Sequence, residues 1–318
     1  MLQGHPLIDR VLTTSEMDLL KLKALEFDIG FVVDKSLEAS AIARITQIDQ
    51  TYGFLANPRT GAIEPATPAA NELWEIGLSD EKKFFQNKKS EVQLQIEALE
   101  LGPYQRSEYS VHLTHEERIE SDKRTQTWRQ AHDQPVIGIN TGCSDHLPAK
   151  KLSISFHRQI IQEMISVGYK NIVLLGGPED AVRNQEIGRE LGVVQSPTDK
   201  GLRDGLVSAN ACDIILTGDS LGMHMGIGLR KHIIAWFGPT CAHEIELYDR
   251  GQVILSKAPC GPCWKRSCQK SLMCYDQVSL DEIMAAISNG TKQWQTKLSS
   301  FKQPFSETFF SVSPVSNI

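Results

Sequence analysis

Residues 213–224 read DIILTGDSLGMH, an apolar run that passes through small and polar residues into a helical stretch. A short apolar run bounded by glycine is typical of a strand buried on both faces of a parallel sheet. Serine, glycine and aspartate favour a tight turn and the start of a helix. The stretch therefore predicts one strand–loop–helix unit of an α/β protein.

The same pattern recurs on both sides of this unit. Apolar runs over 135–140, 171–175 and 232–237 each end in small residues. Helical patterns of roughly 10–15 residues separate the runs, which predicts a doubly wound parallel sheet. Ligands of such sheets bind at the carboxyl ends of the strands, so we expect the site in these loops.

The first part of the chain gives weaker signals. Residues 8–12 predict a short strand, 27–33 a buried parallel strand, and 49–70 a loop rich in Pro, Gly, Thr and Asn. Residues 114–132 contain eight charged side chains and predict a solvated connecting helix. We therefore divide the chain into one domain over 1–132, a second over 133–290 and a tail over 291–318.

Composition excludes several classes of protein. With 33 Lys and Arg against 39 Asp and Glu, the net charge is −6, which argues against a general nucleic-acid binder. No apolar run approaches the ~20 residues of a membrane span, and no signal peptide precedes the first strand. We expect a soluble cytoplasmic protein. Seven cysteines, an odd number, without an export signal argue against a disulfide framework.

Three strand-to-helix loops combine small residues with a few charged ones, as a diphosphate site requires. The first contains Lys150, the second Glu179 and Asp180, and the third Asp219 and Ser220. Free amides at a helix start and a lysine suit phosphate oxygens. Each signal has a structural alternative: Asp219 as a helix N-cap, His224 as a hydrogen-bonded core residue, Lys150 as a solvated side chain.

Five ordered blocks of this half resemble glycosyltransferase family 9, the ADP-heptose:lipopolysaccharide heptosyltransferases. The blocks lie at 137–142, 150–153, 176–180, 219–224 and 237–240 and belong to about half of the chain. The resemblance implies the GT-B architecture, in which two Rossmann-like domains face a cleft. The second domain would bind the nucleotide sugar and the first the acceptor.

The resemblance also implies roles for individual residues and no cofactor for catalysis. The pyrophosphate would contact Thr141 and Lys150, the nucleoside Glu179 or Asp180, and the phosphate–sugar region Asp219, Ser220, Gly222 and His224. One departure concerns the third loop. Leu221 stands where the family has glycine, and Gly222 follows one place later.

A second departure concerns the first domain. The family's opening strand and its Gly-Asp loop, which supplies the general base, have no counterpart in this sequence. The catalytic base is therefore unknown, and the first domain is expected to be incomplete. Two interpretations stay open: a truncated version of a longer enzyme, or a catalytically impaired nucleotide-sugar-binding protein.

Four cysteines lie close together in a loop over 260–274. They are Cys260, Cys263, Cys268 and Cys274. Four nearby thiolates can bind a structural Zn²⁺, and an iron–sulfur cluster is chemically allowed as well. Reduced thiols and local disulfides are the alternatives. A third interpretation of the whole protein makes this cluster a metal-sensing or redox module.

The resemblance implies an inverting transfer of heptose from ADP-heptose to a lipopolysaccharide inner-core or related glycan acceptor. Since that acceptor is linked to lipid, we expect peripheral contact with the inner face of the inner membrane. The expected partners are the nucleotide-sugar donor and the lipid-linked glycan, without nucleic acid.

Overall fold

The computed structural model describes residues 1, 2 and 4–302, and its first sheet has three strands. They are β1 (Glu26–Val32), β2 (Gln47–Ala56) and β3 (Ile63–Pro65). β1 runs parallel to β2, and β3 is antiparallel to it. The accompanying helices are α1 (Glu16–Lys23), α2 (Leu37–Ile45), α3 (Asn71–Leu78), α4 (Glu91–Ala98) and α5 (His115–Trp128). Phe54 is fully buried against Leu73 and Leu94, which makes a small core between β2 and the two helices α3 and α4.

Two predictions for this region are wrong. Residues 49–70 contain most of β2 and all of β3 instead of a continuous loop. Gly53, one of the glycines behind the loop prediction, permits a close backbone approach instead: a Cβ there would lie 2.2 Å from the Val32 carbonyl oxygen. Residues 8–12 form no strand, since the Ile8 amide donates to the His5 carbonyl in a turn and Val11 is exposed.

The strand predicted over 27–33 is confirmed as β1, but its predicted burial is wrong. The exposed fractions are 38% for Phe27, 50% for Ile29 and 47% for Phe31. Within the described residues, β1 pairs with β2 alone, so one edge and much apolar surface face outward.

The second sheet has six parallel strands. They are β4 (Ile137–Asn140), β5 (Ile172–Leu175), β6 (Val194–Gln195), β7 (Ile214–Gly218), β8 (His232–Phe237) and β9 (Gly251–Leu255). The order is β6-β5-β4-β7-β8-β9. The helices of this half are α6 (Ile154–Ser166), α7 (Ala181–Gly188), α8 (Leu202–Asn210), α9 (Leu221–Gly228) and α10 (Leu280–Lys302).

Both faces of this sheet are buried, as the apolar runs predicted. Ile137 and Ile214 pack with α6 and α10 on one face, while Val173 and Ile215 pack with α8 and α9 on the other. The chain leaves β4 for β5 on one side and later places β7 on the other side. The direction of winding therefore changes beside β4, which is where such sheets bind ligands.

The connecting helix α5 packs against α8, so the prediction of a solvated helix is only partly right. Arg124 is buried and pairs with Asp204 at 2.6 Å, and it also donates to Ser208. α10 continues across the predicted limit at 290, and residues 303–318 of the predicted tail lie outside the described residues. The domain limits stay predictions. None of the helices in the described part of the chain combines the length and apolarity needed to cross a bilayer.

Candidate donor site

The carboxyl ends of β4, β5 and β7 enclose a cavity of about 370 Å³. Four of the predicted residues line it: Glu179, Asp180, Ser220 and Gly222. Ser196 and Thr198, which follow β6, add polar groups on the opposite side. The cavity therefore lies at the sheet edge predicted from the order of the loops.

Asp180 places a carboxylate beneath the first two loops. It is 3% exposed, and its Oδ2 accepts the Gly177 amide at 3.0 Å. Its Oδ1 is buried and has no hydrogen-bond partner among the described residues. Burial raises the pKa of this carboxyl group. The carboxyl group therefore supports the two loops from beneath and, within the described residues, keeps one oxygen unpaired in the interior.

Glycine is needed beside Asp180 for steric reasons. A Cβ on Gly142 would lie 1.9 Å from the Asp180 Oδ2, and one on Gly176 would lie 2.7 Å from its Cβ. Both small residues thus let the backbone pass over the carboxylate.

Ser220 caps α9 at the cavity wall. Its hydroxyl accepts the Met223 amide at 3.3 Å and the Asn140 side-chain amide at 3.0 Å. The N-cap is therefore Ser220 and not Asp219, which settles the alternative raised for Asp219. Gly222 lies against the Asn140 amide, since a Cβ there would come within 2.8 Å. Asn140 was not predicted as a site residue, although it ends the strand in the first block.

Lys150, Asp219 and His224 lie close together beside the capped helix. Lys150 Nζ is 3.4 Å from the Asp219 Oδ2. The carbonyl of Lys150 passes close to Gly218, where a Cβ would lie 2.6 Å from that oxygen. The pKa of His224 is lowered, chiefly by burial. The Asp219 carboxylate acts in the opposite direction, and the Lys150 ammonium adds to the lowering. The lysine and the acid are therefore paired and lie near enough to the imidazole to affect its pKa, while none of the three is among the residues that line the cavity.

Thr141 also lies outside the cavity lining, and its side chain is buried. It is 1% exposed, and its hydroxyl donates to the Asn184 side chain at 2.5 Å. Its side chain connects β4 to α7 and is not among the residues that line the cavity. The predicted contact of this residue with pyrophosphate stays a prediction.

The first half of the chain contributes residues that sequence reasoning missed. The Tyr109 hydroxyl is 3.2 Å from the His224 Nδ1. The Glu91 carboxylate, on the first turn of α4, acts on the pKa of both His224 and Tyr109. Glu91 is therefore near enough to both groups to affect them electrostatically. Its only sequence signal is an acid that follows a serine cap at the start of a helix.

The four clustered cysteines surround a separate cavity of about 420 Å³. All four are free thiols, and Lys270 lies beside them. Burial raises the pKa of Cys274, and the thiols of Cys263, Cys260 and Cys268 act in the same direction. Within the described chain, however, no three of these thiols lie within 4.8 Å of one another. The structural zinc predicted here stays a prediction.

The model of glycosyltransferase family 9 (heptosyltransferase) matches residues 19–274, well over half of the chain. The chain belongs to glycosyltransferase family 9. It is 27% identical over 114 residues to lipopolysaccharide heptosyltransferase 2 of Escherichia coli K12, and that match covers 34% of this chain. The chain spans only about a third, 32%, of the length of this curated relative.

Solved structures of family 9 glycosyltransferases share the fold. A family 9 glycosyltransferase from Veillonella parvula has a TM-score of 0.66 at 17% identity, covering 88% of this chain and 81% of that one. ADP-heptose lipopolysaccharide heptosyltransferase II of E. coli has a TM-score of 0.57 at 17% identity, covering 86% and 80%. The predicted α/β fold of GT-B type is thereby confirmed.

Proposed function

We propose that this family 9 glycosyltransferase transfers heptose from ADP-heptose, with inversion, to a lipopolysaccharide inner-core or related glycan acceptor. The observation that carries the proposal is the cavity at the ends of β4, β5 and β7, with the Lys150–Asp219–His224 cluster beside it. The nucleoside would lie against Asp180 and Glu179. The diphosphate would lie near the start of α9.

The charges suit departure of a nucleoside diphosphate. Lys150 pairs with Asp219 at 3.4 Å, which is long for a charge-assisted bond, so the ammonium can turn to a phosphate oxygen at low cost. The first amides of α9 add partial positive charge at the same place. Fixed donors of this kind stabilise the charge that develops as the glycosidic bond breaks.

Inversion also requires a base for the acceptor hydroxyl. In our proposal this base is Glu91, because it is an exposed carboxylate on the opposite half that acts electrostatically on His224. Tyr109 would hold the imidazole from the same side, with its hydroxyl at 3.2 Å.

The lipid-linked acceptor places the proposed enzyme at the cytoplasmic face of the inner membrane. Exposed apolar side chains on β1, Phe27, Ile29 and Phe31, support peripheral contact through the first half. Flotation of the chain with vesicles of bacterial lipids tests this contact. Recovery of the chain only at the bottom of the gradient would contradict it.

The donor site is tested by calorimetric titration with ADP. Lys150→Ala should weaken binding by about tenfold or more, since a charge-assisted hydrogen bond contributes roughly 1.5–3 kcal/mol. Lys170→Ala is the control, because Lys170 is exposed just before β5 at the opposite edge of the sheet. Unchanged affinity in Lys150→Ala would reject the site.

Transfer is tested with ADP-heptose and a heptose-deficient lipopolysaccharide. Appearance of ADP together with an extended acceptor supports the enzyme. ADP binding without any transfer would instead support the impaired nucleotide-sugar-binding protein.

A further inference from the structure

A second set of chemically reactive side chains lies in the turn that follows β8. Cys241, His243 and Glu244 are adjacent there, the last two within a single 3-10 turn. In the part of the chain that the structure describes, they are the one group of three His, Cys, Asp or Glu residues whose ligand atoms all lie within 4.8 Å of one another. A thiolate, an imidazole and a carboxylate form a donor set that Zn²⁺ accepts.

We propose that Cys241, His243 and Glu244 bind a divalent metal ion of the zinc class and leave one coordination position for water. The proposal concerns residues outside the donor cavity and does not depend on the identity of the sugar. It also differs from the zinc prediction for the cysteine loop, because the ligand atoms are gathered here and not there.

The imidazole is already oriented by the first half of the chain. His243 Nε2 is 3.1 Å from the carbonyl oxygen of Lys83. A carbonyl can only accept, so Nε2 carries the hydrogen and Nδ1 keeps its lone pair. Histidine ligands of metals are commonly held in this way, with the second nitrogen bound to a carbonyl or carboxylate.

The charges balance when a divalent ion binds. The Cys241 thiolate and the Glu244 carboxylate together carry two negative charges, and the thiol releases its proton to solvent as the sulfur–metal bond forms. Without metal, Lys83 is the counter-ion of Glu244 at 3.5 Å. The same ammonium lies 4.1 Å from the centre of the Trp264 ring, which can hold it when the metal takes Glu244.

The test is a metal titration of the reduced, chelator-treated full chain with Zn²⁺ and, separately, with Co²⁺. Cys241→Ser and His243→Ala remove one ligand each, and His132→Ala is the control because His132 is exposed elsewhere. A fourth variant replaces Cys260, Cys263, Cys268 and Cys274 with serine. Far-UV circular dichroism checks the folding of each variant.

We expect the quadruple variant to retain one equivalent of metal, with a cobalt spectrum of the intensity that one thiolate ligand gives. Cys241→Ser and His243→Ala should weaken this binding by at least about tenfold, the lower limit seen for outer-shell changes. If Cys241→Ser fails to fold, the test rests on the metal affinity of His243→Ala and on the cobalt spectrum of the quadruple variant. Loss of all metal from the quadruple variant, or unchanged affinity in His243→Ala, would overturn the proposal. ADP titration of the same samples separates this outcome from failure of the donor site.

Discussion

Gly142 offers a direct steric test of the donor cavity, because alanine there adds a single carbon in a known position. That Cβ would lie 1.9 Å from the Oδ2, 2.3 Å from the Cγ and 2.4 Å from the Oδ1 of Asp180. The carboxylate therefore has to leave its place and lose its bond with the Gly177 amide. Overpacking of this kind costs about 1–3 kcal/mol, so the free energy of unfolding of Gly142→Ala should fall by that amount.

Urea unfolding measures the stability of Gly142→Ala, and calorimetry measures its affinity for ADP, which should fall by about tenfold as the carboxylate moves. Gly205→Ala is the stability control. Gly205 lines the same cavity but lies within α8, and a Cβ there would meet no atom within 4 Å. The control should be unchanged or up to about 1 kcal/mol more stable. Wild-type stability and affinity in Gly142→Ala would refute the reasoning.

Three further predictions concern protons and catalysis. Burial raises the pKa of the Asp180 carboxyl group, so the folded chain holds its proton more tightly than the unfolded chain does. The free energy of unfolding should therefore fall as the pH rises from the ordinary pKa of an aspartate to the raised pKa of the folded state. Asp180→Asn should remove this fall, which urea unfolding from about pH 4 to pH 8 measures. Burial lowers the pKa of His157 from 6.5 to about 3, so stability should be lost as the pH falls through this interval because only the unfolded chain takes up the proton. His157→Gln should reduce that loss in the same assay. An unchanged loss of stability at low pH in this variant would contradict the prediction. Glu91→Gln should reduce transfer by about a hundredfold or more while leaving ADP affinity unchanged, and equal loss of both would show that Glu91 is not the base.

The second sheet could be predicted from the sequence because each central strand is an apolar run bounded by small residues. The run at 214–218, for example, is buried along its length and needs no distant partner to be recognised. β2 and β3 were missed for the opposite reason. The polar, glycine-containing β2 becomes a strand through pairing with β1 and burial of Phe54, and β3 through pairing with β2, which local propensity does not report.

The candidate site could likewise be predicted only in part. Asp180 follows β5, and Ser220 and Gly222 follow β7, the two strands that flank β4 in one parallel sheet, so all three lie at the same sheet edge. Tyr109 and Glu91 come from the other half, and nothing in their local sequence indicates that they face His224. The metal ligands proposed after β8 were overlooked because the four clustered cysteines gave a stronger spacing pattern.

The outer edge of β1 has a consequence for how copies of the chain behave in concentrated solution. Among the described residues β1 has a strand neighbour on one side only, and such an edge offers its backbone groups to any other extended strand. Glu26 and Asp28 lie along this strand, so two such edges would bring carboxylates of like charge together. Repulsion keeps them apart at low ionic strength and weakens as salt screens it. Self-association should therefore increase with added salt, the opposite of what an ion-paired interface would show.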